Sequence, residues 1–220
     1  MQTDSPHRQI MSDKGNEYLT NGHTLTIETP VKLTDEAKIK LVSEHLREIM
    51  KIMGLDVNKE GLRETPNRVA RMYIKEMFKG LNPANKPSVT FYENKHKYNK
   101  VLVEKNIAIY SFCEHHFLPV IGKAHVAYIP NGRIIGLSKL NRIVHYCSAK
   151  PQSQEGLTEE IAHSLKDVLG TQDVAVLIDA VHHCITERGV RDSNSSTVTS
   201  HFGGRFQNED IKMEFLFAVK

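Results

Sequence analysis

The chain of 220 residues has no tryptophan, only three cysteines and no apolar run approaching membrane-spanning length. So few cysteines, and an odd number, favour free thiols and metal ligation in a reducing compartment over a disulfide framework. Met1 to Thr20 is polar, without the apolar core and small-residue cleavage site of a secretory signal, so a cytoplasmic protein with no membrane contact is expected. A net charge of +3, with no long basic run and no basic stripe interleaved with aromatics, argues against a nucleic-acid surface. Nor is there a Gly-x-x-x-x-Gly-Lys-Ser/Thr run, so a bound nucleotide would not be hydrolysed at its phosphates by a P-loop. What remains, at 40% hydrophobic and 25% charged, is an ordinary globular composition.

The order of elements is read from periodicity and punctuation. Residues 1–30, rich in Ser, Asn, Gly and Thr, read as a flexible arm, 31–85 as a helical region and 86–220 as the main domain. Thr34 can cap a helix in which Ile39, Val42, Leu46, Ile49 and Met53 recur at helical spacing as a core stripe, ending at Gly54. Thr65 and Pro66 announce a second helix through Val69, Met72, Tyr73, Met77 and Phe78, stopped by Gly80. Val89 to Tyr92, Val101 to Phe112 and Gly122 to Ile129 read as strands. Two helices, Ser138 to Ala149 and Gln154 to Leu169, follow with Pro151 between them and Gly170 as a stop. Val174 to Ile185 reads as a strand buried on both faces over its first half, and Ser193 to Ser200 as an exposed or interface strand.

Two clusters carry chemistry: Cys113, Glu114, His115, His116, and the distant His182, His183, Cys184. Cys113 and His116 can meet one ion across a turn, and Cys184 can supply a third ligand, a set suited to Zn²⁺. Three protein ligands leave a place for water, whose pKa the metal lowers to about 7; a further histidine could instead close the site. Cys147, within Ile143 to Cys147, reads as a small buried apolar residue. On an extended strand His182 and Cys184 would share a face, setting His182 beside the metal as a general acid or base with His183 turned away. His115 is the better inward-facing candidate of the first run, while Glu114 divides between orienting a histidine and a solvated role.

A third group concerns anions. Ser138, Lys139 and Arg142 lie at a helix start, where free amides and the macrodipole attract phosphate. Arg188 and Arg191 follow the second cluster, and Arg68 and Arg71 lie early in the helix opened by Thr65, so a polyphosphorylated substrate is suggested.

The strings Cys-Glu-His-His at 113–116, Gly-Leu-Ser-Lys-Leu-Asn-Arg at 136–142, Lys-Pro-Gln-Ser-Gln-Glu at 150–155, Asp-Ala-Val-His-His-Cys at 179–184 and Arg-Gly-Val-Arg-Asp at 188–192, with Glu64 to Arg68, resemble GTP cyclohydrolase I from about Thr34 to the C-terminus. The resemblance implies an α+β tunnelling fold, with antiparallel strand pairs flanking two helices and an N-terminal helical region. It also implies assembly as a homodecamer of two pentamers with sites between subunits. By position it places zinc on Cys113, His116 and Cys184, and proton transfer on His115 and His182. Guanine recognition falls on Glu155 with Gln154 beside it, triphosphate contacts on Ser138, Lys139, Arg142 and Arg188, and a contact across the subunit boundary on Arg68. The implied reaction opens the GTP imidazole ring at C8, releases formate and recloses the rearranged ribose to 7,8-dihydroneopterin triphosphate. Two competitors are a zinc deaminase, whose His-x-Glu and Pro-Cys-x-x-Cys signature is missing, and a zinc-stabilised nucleotide-binding assembly protein without turnover.

Overall fold

The structure, a computed structural model, describes residues 33–220, so the expected N-terminal arm lies outside the described residues. Helix α1 (Asp35–Ile52) starts where Thr34 Oγ1 accepts from the Ala37 amide, with Asp35 and Glu36 suiting the positive end of the helix. Its stripe is only partly core: Ile39 and Met50 are buried, whereas Ile49, Ile52 and Met53 are exposed. Among the described residues α1 packs against α2 (Thr65–Met72) and the turn that continues it, where Lys75 pairs with Asp35 and Glu36. Thr65 is the first residue of α2 rather than its cap, which falls on Glu64, and Pro66 occupies the first turn. A π-helical turn, Tyr73–Met77, then widens the helix before Gly80.

Two sheets follow. Strand β1 (Phe91–Glu93) begins later than Val89 and pairs with β4 (Arg133–Ile135), a strand absent from the sequence reading. The main sheet has the order β5-β2-β3-β6-β7. It comprises β2 (Leu102–Cys113), β3 (Pro119–Tyr128), β5 (Pro151–Gln152), β6 (Val174–His182) and β7 (Thr197–Phe202). All its pairings are antiparallel except that of β5 with the end of β2. Gly122, in the middle of β3, lets β6 approach closely: a methyl group there would overlap the Asp179 carbonyl oxygen and the Ala180 Cα.

Alternation along these strands builds one core on each face. On one face Ile107, Ile109, Val126, Val176 and Ile178 meet α3 (Leu137–Ser148) and α4 (Gln154–Leu169) through Leu140, Val144, Ile161 and Leu165. On the other, Ala127 and Ala175 pack with Phe206 and with Phe215 of the C-terminal helix α6 (Glu209–Val219). Cys147 is fully buried in the first core, as a small apolar residue should be. The chain is therefore α+β, and no helix among the described residues is long and apolar enough to cross a membrane.

Two expectations are corrected. The strand from Val174 ends at His182, and His183–Thr186 forms a single helical turn, α5, so His182 and Cys184 are not related by strand alternation. Of Ser193 to Ser200, only Thr197 onward is strand, continuing to Phe202.

Candidate active site

The first cluster hangs on the β2–β3 connection. Cys113 is the last residue of β2, and its amide donates to the Leu118 carbonyl at 2.9 Å while the Phe117 amide donates back to the Cys113 carbonyl at 2.9 Å. The turn closed by these bonds folds His116 back over Cys113, at the cost of a positive φ of 53° at Phe117. Aromatic packing holds it: the Phe78 ring meets Phe112 and Phe117 edge-on at 5.2 and 5.7 Å and stacks on Tyr73 at 4.9 Å. Sequence reading assigned Phe78 to a helix stripe and missed this clamp, which depends on a contact between distant segments.

The second cluster arrives through strand register. Val120, at the start of β3, pairs with His182, at the end of β6, so the turn after β2 and the turn after β6 meet at one end of the sheet. There the ligand atoms of Cys113, His116 and Cys184 lie within 4.8 Å of one another. Two thiols and an imidazole are the soft and borderline donors that suit zinc, so the donor set fits such an ion. Burial, reinforced by the adjacent Cys113 thiol, pushes the Cys184 thiol up.

Around the triad stand several of the other residues singled out by sequence. His115 is exposed, with Nδ1 3.6 Å from Cys113 Sγ. Arg188 donates to His116 Nε2 at 3.1 Å. His182 is half-buried with Nε2 2.7 Å from Gln154 Oε1; burial lowers its pKa, and the charge of nearby Glu155 opposes that shift. Glu155 itself is exposed in the first turn of α4, whose start is fixed by Ser153 Oγ accepting from the Gly156 amide at 3.0 Å. His183 Nδ1 is 3.3 Å from Glu187 Oε1.

Of the anion group, Arg188 stands beside the triad, whereas Ser138, Lys139 and Arg142 do not join it within one chain. Ser138, Lys139 and Arg142 occupy the first turns of α3, whose cap, Gly136, offers no side chain. Asn141 of that helix donates to Glu104 near the beginning of β2, at 3.1 Å, whereas Cys113 ends that strand. Nine steps along the strand separate these points, about 30 Å at the usual rise. Arg68 is exposed on α2, and among the described residues no hydrogen bond or ion pair links it to the triad.

Comparison with known proteins gives the same family as the motifs. The family model for GTP cyclohydrolase I matches residues 42–220. A protein of Flavobacterium johnsoniae named GTP cyclohydrolase 1 is 49% identical over 205 residues, covering 93% of this chain and 92% of the relative. Proteins of the same name from Serratia proteamaculans and Citrobacter koseri are each 46% identical, over 198 and 200 residues, covering 88% of this chain and 90% of each relative. Matched over most of its length by the family model and by relatives of this identity, the chain belongs to the GTP cyclohydrolase I family.

Proposed function

We propose that this chain is a GTP cyclohydrolase I, opening the imidazole ring of GTP by hydrolysis at C8, releasing formate and forming 7,8-dihydroneopterin triphosphate. The observation that carries this reading is the convergence of Cys113, His116 and Cys184 at the sheet end that also holds His115, His182 and Glu155. Cys113, His116 and Cys184 would hold Zn²⁺, which supplies Lewis acidity and an activated water when bound. Glu155, exposed at the start of α4, accepts hydrogen bonds from the N–H edge of guanine and fixes the base. His182 and His115 carry protons to and from the ring nitrogens as C8 becomes tetrahedral, and later to the ribose ring oxygen. Arg188 holds negative charge near the triad, and Ser138, Lys139 and Arg142 hold the triphosphate, which orients the base and stays intact.

The separation of the α3 start from the triad supports a site shared between copies, because one chain cannot place both on one GTP. The pairing pattern offers a route: among the described residues β7 is bonded only to β6, and β2 before Phe112 only to β3, so these residues leave two sheet edges open. Joining such edges around a ring gives the tunnelling fold, residues 86–220 forming its wall, with the homodecamer as the expected assembly. Arg68 would then reach the site of another copy.

Incubating zinc-loaded protein with GTP tests the reading. One formate per GTP and a fluorescent pterin after oxidation are expected. A zinc-stabilised assembly protein that binds GTP without turnover gives neither product, and that result sinks the proposal.

A further inference from the structure

The buried amide of Gln154 is fully committed to partners inside the chain. The residue is only 3% exposed. Its two Nε2 hydrogens face three acceptors, the Thr197 carbonyl at 2.8 Å, Thr199 Oγ1 at 3.1 Å and the Ile178 carbonyl at 3.3 Å, so one N–H is shared between two of them. Two of these partners are backbone carbonyls, which can only accept, so the nitrogen must face them; a flipped amide would set oxygen against oxygen twice. The hydroxyl direction agrees. Thr158 Oγ1 donates to the Gln154 carbonyl at 2.9 Å, so in its 2.7 Å contact with Thr199 it accepts, and Thr199 keeps a lone pair for the amide.

With the nitrogen fixed toward β6 and β7, Oε1 is fixed toward His182 Nε2, 2.7 Å away. An amide oxygen cannot donate, so the proton in that bond belongs to the imidazole. We propose that Gln154 is a positioning residue: it holds neutral His182 as the Nε2–H tautomer, leaves Nδ1 as the nitrogen that exchanges protons, and has no N–H free for guanine. This rests on the reading of His182 as a proton carrier, and it moves Gln154 from the substrate edge, where resemblance set it, to a place behind the histidine. The hydrogen bond fixes the tautomer and the ring orientation together, the two requirements of a proton carrier that depend on its neighbours.

The tautomer can be read without turnover. In full-length, zinc-loaded, ¹⁵N-histidine protein sedimented for magic-angle-spinning NMR at alkaline pH, His182, assigned through His182→Gln, should carry its proton on Nε2. Gln154→Leu should move that proton toward Nδ1 and lower kcat about tenfold or more, with KM for GTP changing less than about twofold. Thr199→Val, which removes one acceptor and leaves both carbonyls, should keep the Nε2–H form. A wild-type His182 protonated on Nδ1 overturns the proposal, whether or not the leucine variant folds. So does a Gln154→Leu enzyme with raised KM and unchanged kcat, the mark of a direct guanine contact. Should wild-type protein release no formate from GTP, the enzymatic reading fails while the NMR result still decides the role of Gln154.

Discussion

The two ends of β2 are chemically unlike. At its C-terminal end, Cys113, His116, Cys184, His182 and Gln154 are brought together by two turns, one strand register and a buried amide, all from a single chain. At its N-terminal end, the start of α3 presents exposed Ser138 and Arg142 and half-buried Lys139, with no acidic ion-pair partner for either cation among the described residues. The first end is held together by contacts within one chain. The second is a set of donors at a helix start whose counter-charge comes from elsewhere, as expected if the triphosphate bound there belongs to a GTP seated on another copy's triad.

Removing a triad ligand should break the first end most severely. Cys184→Ser should lose zinc, measured by metal analysis after dialysis, and lower formate release on the order of a thousandfold or more. The fold should survive, because Cys184 is only packed at the margin of the main core. Arg142→Ala should cost about tenfold to a hundredfold through the loss of charged hydrogen bonds to phosphate. Mixing these two impaired variants gives the sharpest contrast. If each site takes its triad from one copy and its α3 start from another, random reassembly at equal amounts should restore about a quarter of wild-type activity, since half the sites receive each intact part. Sites complete within one chain would restore nothing.

How much of this was legible follows the same division. The α4 boundaries at Gln154 and Leu169 could be read because Pro151 separates α4 from the preceding helix and Gly170, at a φ of 65°, stops it. The triad residues were legible because cysteines are few and a thiol beside an imidazole has a specific ligand chemistry. The end of β6 was not: His182 to Ile185 suits a strand, and the coiling of His183–Thr186 into a turn depends on packing against β3 rather than on local preference. Helix α6 escaped because its apolar residues Ile211, Phe215, Leu216, Phe217 and Val219 do not line a single narrow stripe. Ser138, Lys139 and Arg142 could be picked out as an anion group, yet nothing local in sequence says whose GTP they face.

Between the two ends, Gly122 sets how closely β3 and β6 approach. Gly122→Ala should destabilise the chain by about 1–3 kcal/mol, because the obstacles to its methyl are backbone atoms that cannot swing aside. Thermal unfolding should shift downward by several degrees, while zinc content per folded protomer stays at wild-type level. A variant that kept its stability but lost zinc would mean that the strand register serves the triad more than the sheet.

The smallest effect expected concerns pH, and it arises on the α6 face of the sheet, near the start of β2. His125 is buried on β3, its Nδ1 facing the Asn106 amide at 3.5 Å beside the irregularity between Glu104 and Ile107. That amide donates, so Nδ1 must stay unprotonated to accept. Burial lowers the His125 pKa, the charges of Lys123 and Lys105 lower it further, and only Asp179 opposes them. An unfolded chain takes up this proton near pH 6.5, whereas the folded chain does so only at lower pH. Below pH 6.5 the unfolded state therefore binds more protons, so the stability present above that pH declines as pH falls toward the folded value. His125→Gln, with an uncharged acceptor in place of the imidazole, should flatten that part of the denaturant midpoint profile and leave the profile above neutrality unchanged. An unaltered acid slope in the variant would assign the loss to other groups and leave the two ends of the sheet equally sensitive to acid.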